Sequence, residues 1–267
     1  MFKRLFSFAN AKPARPPEGV RIYAIGDVHG CADLLNALLE RIYDEALKRP
    51  SQASALVMLG DYVDRGPRSD AVLQTLVMLK ERSPIAVRFL AGNHDDTLLE
   101  FLADPMVGET WCEFGGRETL TSYRVNPPLR GAEPEAWKAA QVELRAAMPA
   151  SHVSFLQSLE EAVTLGDYTF VHAGARPGVP LDQQTRRDRL WIRGEFLNDT
   201  RAFEKVVVHG HTPADDPHAD KRRIGVDTGA YATGVLTAVV LEGEDRRFLQ
   251  TRRTAAKGPI VVEDLAA

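Results

Sequence analysis

A chain of 267 residues, 44% hydrophobic and 26% charged, is long enough to bury one large core and has the balance of a globular protein. A formal net charge of −4 leaves none of the basic excess that nucleic-acid binders carry, so no nucleic-acid partner is expected. Two distant cysteines, Cys31 and Cys112, exclude a disulfide framework or zinc cluster, and no apolar run reaches the roughly 20 residues that span a bilayer, so a cytoplasmic protein without a transmembrane segment is expected.

Residues 1–19 read as a flexible leader. Met1 to Phe8 mixes Lys3 and Arg4 with Phe2, Leu5, Phe6 and Phe8 but lacks the apolar core of a secretory signal; a frayed end is expected, an interfacial helix being the alternative. Pro13, Pro16, Pro17 and Gly19 separate it from the domain, placed at residues 20–255. Val20 to Ile25 predicts a buried strand, and the apolar spacing from Asp33 to Leu47 predicts an amphipathic helix capped by Asp33, with Pro50 beyond its end. Ala55 to Leu59 predicts a second strand, Ser69 to Lys80 a helix with Ser69 as N-cap, and Ile85 to Leu90 a third strand. Three strand–loop–helix units predict a parallel sheet whose ligands sit beyond the carboxyl ends of its strands. Residues of about 97–160 predict a helical insertion near the mouth of the site, its aromatics serving as local core. Strands return at Ala162 to Leu165 and Tyr168 to Val171 as a hairpin, then at Val206 to Val208, Arg223 to Val226, Val235 to Leu241 and Phe248 to Thr251. Residues 256–267 read as a C-terminal tail.

Five short motifs punctuate these strands: Gly26-Asp27-Val28-His29-Gly30, Gly60 to Gly66, Gly92-Asn93-His94-Asp95, His172-Ala173-Gly174 and His209-Gly210-His211-Thr212. Asp27 and His29 alternate on an extended segment and so project the same way. With Asp61, Asn93, His172 and His211 they make six candidate ligands at strand ends, enough for two divalent ions. A mixed oxygen and nitrogen donor set suits Mn, Fe, Zn or Co better than Ca. Two such ions lower the pKa of a bridging water, and the resulting hydroxide can attack phosphorus in line. His94, next to Asn93, is the candidate general acid, and Asp64 is the candidate to orient it. Arg65 can grip the phosphate and Arg193 is a candidate second clamp.

The stretches GDVHG, GDYVDRG, GNHD, VHAG and HGHT resemble the phosphoprotein phosphatase group of the calcineurin-like metallophosphoesterases over roughly residues 20 to 242. The glycine in His209-Gly210-His211-Thr212, with LWIR at Leu190 to Arg193, is similar to that group's bacterial branch. The resemblance implies an α/β fold with two mixed sheets in a sandwich flanked by helices. It implies metal ligation by Asp27, His29, Asp61, Asn93, His172 and His211, acid–base work by His94 with Asp64, phosphate binding by Arg65 and Arg193, and Mn2+ as the metal. The expected substrate is a phosphomonoester, in particular a phosphoprotein on Ser or Thr, or on Tyr. The alternative is a dinucleoside polyphosphate such as diadenosine tetraphosphate; Asp64, which that related group typically lacks, tilts the choice to the monoester. A second alternative is a catalytically silent, metal-stabilised binding module.

Several neighbours carry bland readings. His209 is expected to face away from His211, and His152 and His218 to be surface groups. Asp95 is left between helix cap and partner of a ligand, and Arg176 between substrate contact and loop stabiliser. Asp227-Thr228-Gly229 reads as a strand-end turn near the site only by family expectation. Arg186, Arg187 and Arg189 read as a solvated face.

Overall fold

The structure is a computed structural model that describes residues 13–48, 52–254 and 258–267. The expectations for Met1 to Phe8 and for Pro50 lie outside the described residues. The first half runs β1 (Val20–Ile25), α1 (Ala32–Leu47), β2 (Ala53–Met58), α2 (Ser69–Arg82), β3 (Ala86–Phe89) and α3 (Asn93–Ala103). The insertion follows as α4 (Gly108–Trp111), α5 (Arg117–Ser122), α6 (Pro134–Ala147) and α7 (Ala150–Gln157). The second half runs β4 (Ala162–Leu165), β5 (Tyr168–Val171), α8 (Arg186–Trp191), α9 (Gly194–Leu197), β6 (Val206–His209), β7 (His218–Ala219), β8 (Arg223–Gly225), α10 (Ala230–Thr233), β9 (Thr237–Glu242), β10 (Asp245–Arg253) and β11 (Ile260–Ala266).

One sheet has the order β11-β10-β9-β1-β2-β3 and the other β4-β5-β6-β8-β7. The three strands β1, β2 and β3 are parallel, as the repeated units predict, while β9 joins β1 antiparallel. Alternation along β1 assigns its two faces. Ile22 and Ala24 point into the layer between the sheets with Phe170, Val208 and Ile224, whereas Tyr23 and Ile25 pack under α1 and α2. A third cluster, Val171, Ile192, Phe196 and Val207, joins the outer face of the second sheet to α8 and α9. The result is the expected sandwich of two mixed sheets with helices outside both.

Three expectations need correction. Residues 260–266 are not a tail but the strand β11, paired antiparallel with β10 at the sheet edge. The leader is tied down before residue 20: Arg15 and Asp167 exchange hydrogen bonds, and the Tyr168 hydroxyl donates to the Ala14 carbonyl. The caps also differ. Cys31 and Arg68 hold the cap positions of α1 and α2, Asp33 receives the Leu34 amide and an ion pair from Arg253, and Ser69 Oγ accepts from the Asp64 amide. The insertion packs as core: Trp111, Leu120, Trp137, Leu144 and Phe155 belong to the same buried cluster as Leu73 and Leu98.

Candidate metal centre

Five strands, β1, β2, β3, β5 and β6, end at the same edge of the sandwich, and the six expected ligands lie just beyond them, five in loops or at loop starts and Asn93 as the first residue of α3. These loops pack backbone against backbone, which explains their glycines. A Cβ on Gly92 would lie 2.1 Å from the Asp61 amide, and one on Gly66 would lie 2.0 Å from the His29 carbonyl. The turns are tight enough to force non-glycine residues into positive φ. Six described non-glycine residues adopt it, and five of them are His29, Asp61, Asp64, Arg65 and His211. Strain of this kind gathers where surrounding structure over-determines a site.

Asp61 is the shared element. Its Oδ2 lies 3.5 Å from His29 Nε2 and 3.4 Å from His172 Nε2. Two groups could therefore each hold a metal ion, Asp61 with His29 and His94, and Asp61 with His172 and His211. The ring tautomers suit this. His29 Nδ1 donates to the Val63 carbonyl at 2.8 Å, which leaves its Nε2 as the inward acceptor; His172 Nδ1 donates to the Leu59 carbonyl at 2.9 Å and turns its Nε2 toward the oxygens of Asp61 and Asn93. His172 Nε2 also lies 3.0 Å from Asn93 Oδ1 and 3.2 Å from His211 Nδ1. Asp27 receives the His211 amide on both oxygens, at 3.1 and 3.0 Å. A Cβ on Gly210 would touch Asp27 Oδ1 at 2.0 Å, so this close approach also needs glycine.

The electrostatics of the cluster ask for a cation. Burial and the neighbouring charges of Asp227 and Asp61 hold Asp27 well above the usual carboxylate range. Asp227 is raised by burial and by Asp61. Burial drives His29 down to about 3 and His211 down to about 2, so both stay neutral, as ligands must be. His211 Nε2 is buried without a hydrogen-bond partner. At His172 burial opposes a charge, but Asp61 and Asp27 outweigh it and raise the ring to about 10, so a proton sits there where a cation would. Crowded carboxylates, the neutral imidazoles of His29 and His211 and an orphaned ring nitrogen fit divalent metal ions.

Beside this cluster His94 Nδ1 lies 2.7 Å from Asp64 Oδ2, the pairing expected. Burial opposes a charge on His94, but Asp61 and Asp64 outweigh it and raise its pKa. Arg65 spans the two rings, with Nη1 3.1 Å from His29 Nε2 and Nη2 3.0 Å from His94 Nε2. Asp64 is held by two residues of the insertion that carry no motif in the sequence. Trp111 Nε1 donates to Oδ2 at 2.8 Å and Thr119 Oγ1 to Oδ1 at 2.7 Å. The Arg65 amide donates to Gly115 in the same insertion at 3.1 Å. The insertion thus builds the wall of the site rather than only lying at its mouth.

Asp95 does both of the things considered for it: it accepts from the Gly92 amide at the start of α3 and from the Asp61 and Tyr62 amides. Arg193 is exposed, precedes α9 and makes no ion pair among the described residues, yet its charge reaches His211. Arg176 is engaged by Asp188 and Glu195, the loop-stabilising option. His209 spends its ring nitrogens on the Gly210 carbonyl and Arg223. His152 is not a surface group: it is buried and bonded to Tyr123. His218 is half-exposed and pairs with Asp220. Arg186 and Arg189 are not free solvated charges, since both clasp Glu161.

The family model for calcineurin-like phosphoesterases matches residues 20–238. The chain belongs to this family. It is therefore a hydrolase of the metallophosphoesterase class, a family that uses divalent metals. Among relatives, it is 27% identical to the bis(5'-nucleosyl)-tetraphosphatase PrpE, asymmetrical, of Geobacillus thermodenitrificans over 82% of this chain and 90% of that one. It is 30% identical to the symmetrical bis(5'-nucleosyl)-tetraphosphatase of Janthinobacterium sp. over 86% and 95%. A solved structure assigned provisionally as a diadenosine tetraphosphatase superposes with a TM-score of 0.58 at 22% identity, covering 93% and 95%. No helix among the described residues is long and apolar enough to cross a membrane.

Proposed function

We propose that this phosphoesterase hydrolyses dinucleoside tetraphosphates in a divalent-metal-dependent reaction. The observation that carries the metal dependence is the pair of ligand clusters joined through Asp61. The substrate class rests on the names of relatives that match most of the chain, and it displaces the phosphoprotein expectation from first place. Asp27, His29, Asp61, Asn93, His172 and His211 would hold the ions; the family resemblance implies Mn2+, and the mixed oxygen and nitrogen donor set equally admits Fe, Zn or Co. Bound ions would supply charge against the phosphate oxygens and lower the pKa of water at the site. Arg65, between His29 and His94, binds a phosphate oxygen, and Arg193 approaches the chain from the His211 side. His94 keeps Nδ1 on Asp64, and its Nε2, which meets the Arg65 guanidinium in this structure, carries the proton delivered to the leaving oxygen once Arg65 turns to the phosphate. The two buried free cysteines accord with a reducing cytoplasm.

One observation favours a second reading. A phosphate leaving from an anhydride needs little help from an acid, whereas a serine or threonine alkoxide needs a proton. The buried His94–Asp64 pair suits the harder leaving group, and so keeps phosphomonoesters, including phosphoproteins, as the rival. Purified protein loaded with Mn2+ and offered diadenosine tetraphosphate and phosphoserine or phosphotyrosine peptides decides between them. The proposal expects a higher kcat/KM for the dinucleotide, with the nucleotides released showing whether the cut is symmetrical. A higher kcat/KM for a phosphopeptide sinks it, and no turnover of either leaves a silent binding module.

A further inference from the structure

Two exposed aromatic rings stand at opposite ends of the candidate centre. At one end Tyr231, on α10, is 41% exposed and has its ring 5.3 Å from that of His29. At the other Trp191, the last residue of α8, is 49% exposed and has its ring 6.4 Å from that of His211. Between them lie His29 and His172 on the same oxygen of Asp61, with His211 beside His172. Neither ring belongs to any of the three hydrophobic clusters, and the ring contacts of both are with histidines of the centre. Ile192 and Phe196 already fill the space beneath α8 and α9.

Each ring also comes with a guanidinium. Arg65 lies over the Tyr231 ring, its Cζ 4.9 Å from the centroid. Arg193, two residues after Trp191, is exposed and unpaired among the described residues. A nucleotide presents a flat π-face and an anionic phosphate, and each end of the centre offers a partner for both. A peptide carrying one phosphate has no need of a second ring and a second arginine.

We infer that Trp191 and Tyr231 are stacking surfaces for the two nucleobases of the dinucleotide, one on either side of the phosphate chain. The inference rests on the dinucleotide reading above. Stacking tolerates any base, because every base has a π-face, so adenine and guanine dinucleotides should be used about equally.

Steady-state kinetics with diadenosine tetraphosphate on Trp191→Ala and Trp191→Phe proteins tests it. Trp191→Ala should raise KM about tenfold with kcat changed less than about threefold, and Trp191→Phe should recover most of the loss. Binding gives a readout that does not depend on turnover. Trp137 is buried and Trp111 is bonded to Asp64 beside the site, so the part of the ligand quenching of tryptophan emission that is lost in Trp191→Phe protein reports Trp191. Adenosine 5'-monophosphate should quench saturably and ribose 5-phosphate should not. In a protein that hydrolyses the dinucleotide, an unchanged KM for Trp191→Ala, or equal quenching by both ligands, overturns the inference and leaves the function standing. Absence of dinucleotide hydrolysis by the wild-type protein overturns the function, and the inference with it.

Discussion

The two ends of the candidate centre are built to different standards of rigidity. At the His29 end the groups that handle protons are all engaged, although Tyr231 beside them is exposed. His29 is fixed by Val63, His94 by Asp64, and Asp64 by Trp111, Thr119 and the Ser69 and Thr119 contacts to its amide. At the His211 end a ring nitrogen lacks a partner, Arg193 is unpaired among the described residues and Trp191 faces solvent. The difference divides the labour. The end that handles protons is anchored in the core, where a displacement would cost buried hydrogen bonds. The Trp191 and Arg193 side of the His211 end is open, where side chains can be exchanged at little cost in stability.

Substitutions should break this contrast in a definite order. Asp61→Asn removes the carboxylate common to both ends, so it should abolish turnover and retained metal together, measured by activity and elemental analysis on one preparation. Asp64→Asn leaves the ligands intact but takes the charge from behind His94. Its kcat should fall about 10²–10⁴-fold with KM little changed, and the loss should be greater for a phosphoserine peptide than for an anhydride. Thr119→Val removes one donor to Asp64 from the insertion. It should cost about 1–3 kcal/mol in denaturant unfolding, because a buried carboxylate oxygen loses its partner, and slow turnover about tenfold. Arg193→Ala, at the open end, should raise KM a few-fold and leave the unfolding midpoint within about 0.5 kcal/mol of wild type. An Arg193→Ala protein as crippled in kcat as Asp64→Asn would erase the distinction between the ends.

The parts of the site that could be read from sequence are those whose partners are neighbours in the chain or ends of regular strands. Asp27 and His29 sit two apart beyond β1, His94 follows Asn93, and the apolar runs that place them are unambiguous. Partners brought by tertiary folding left no such trace. Trp111 and Thr119 reach Asp64 across 47 and 55 residues, and nothing in their local sequence separates them from ordinary core positions. His152 is a different case. It precedes Phe155 and Leu156 by three and four residues, so helical periodicity already put it on their buried face. The strand β11 was hidden because its outward residues, Glu263 and Leu265 among them, do not alternate cleanly, and only pairing with β10 defines it. Positive φ at Asp64 and Arg65 was equally silent, since neither is a glycine.

Metal dependence is the claim on which both ends rely, and stoichiometry measured beside activity tests it most directly. Protein stripped with a chelator, then titrated with Mn2+ while bound metal and hydrolysis of diadenosine tetraphosphate are followed, should bind two equivalents and regain activity as the second fills. Full hydrolysis by protein from which the metal has been removed would contradict the account.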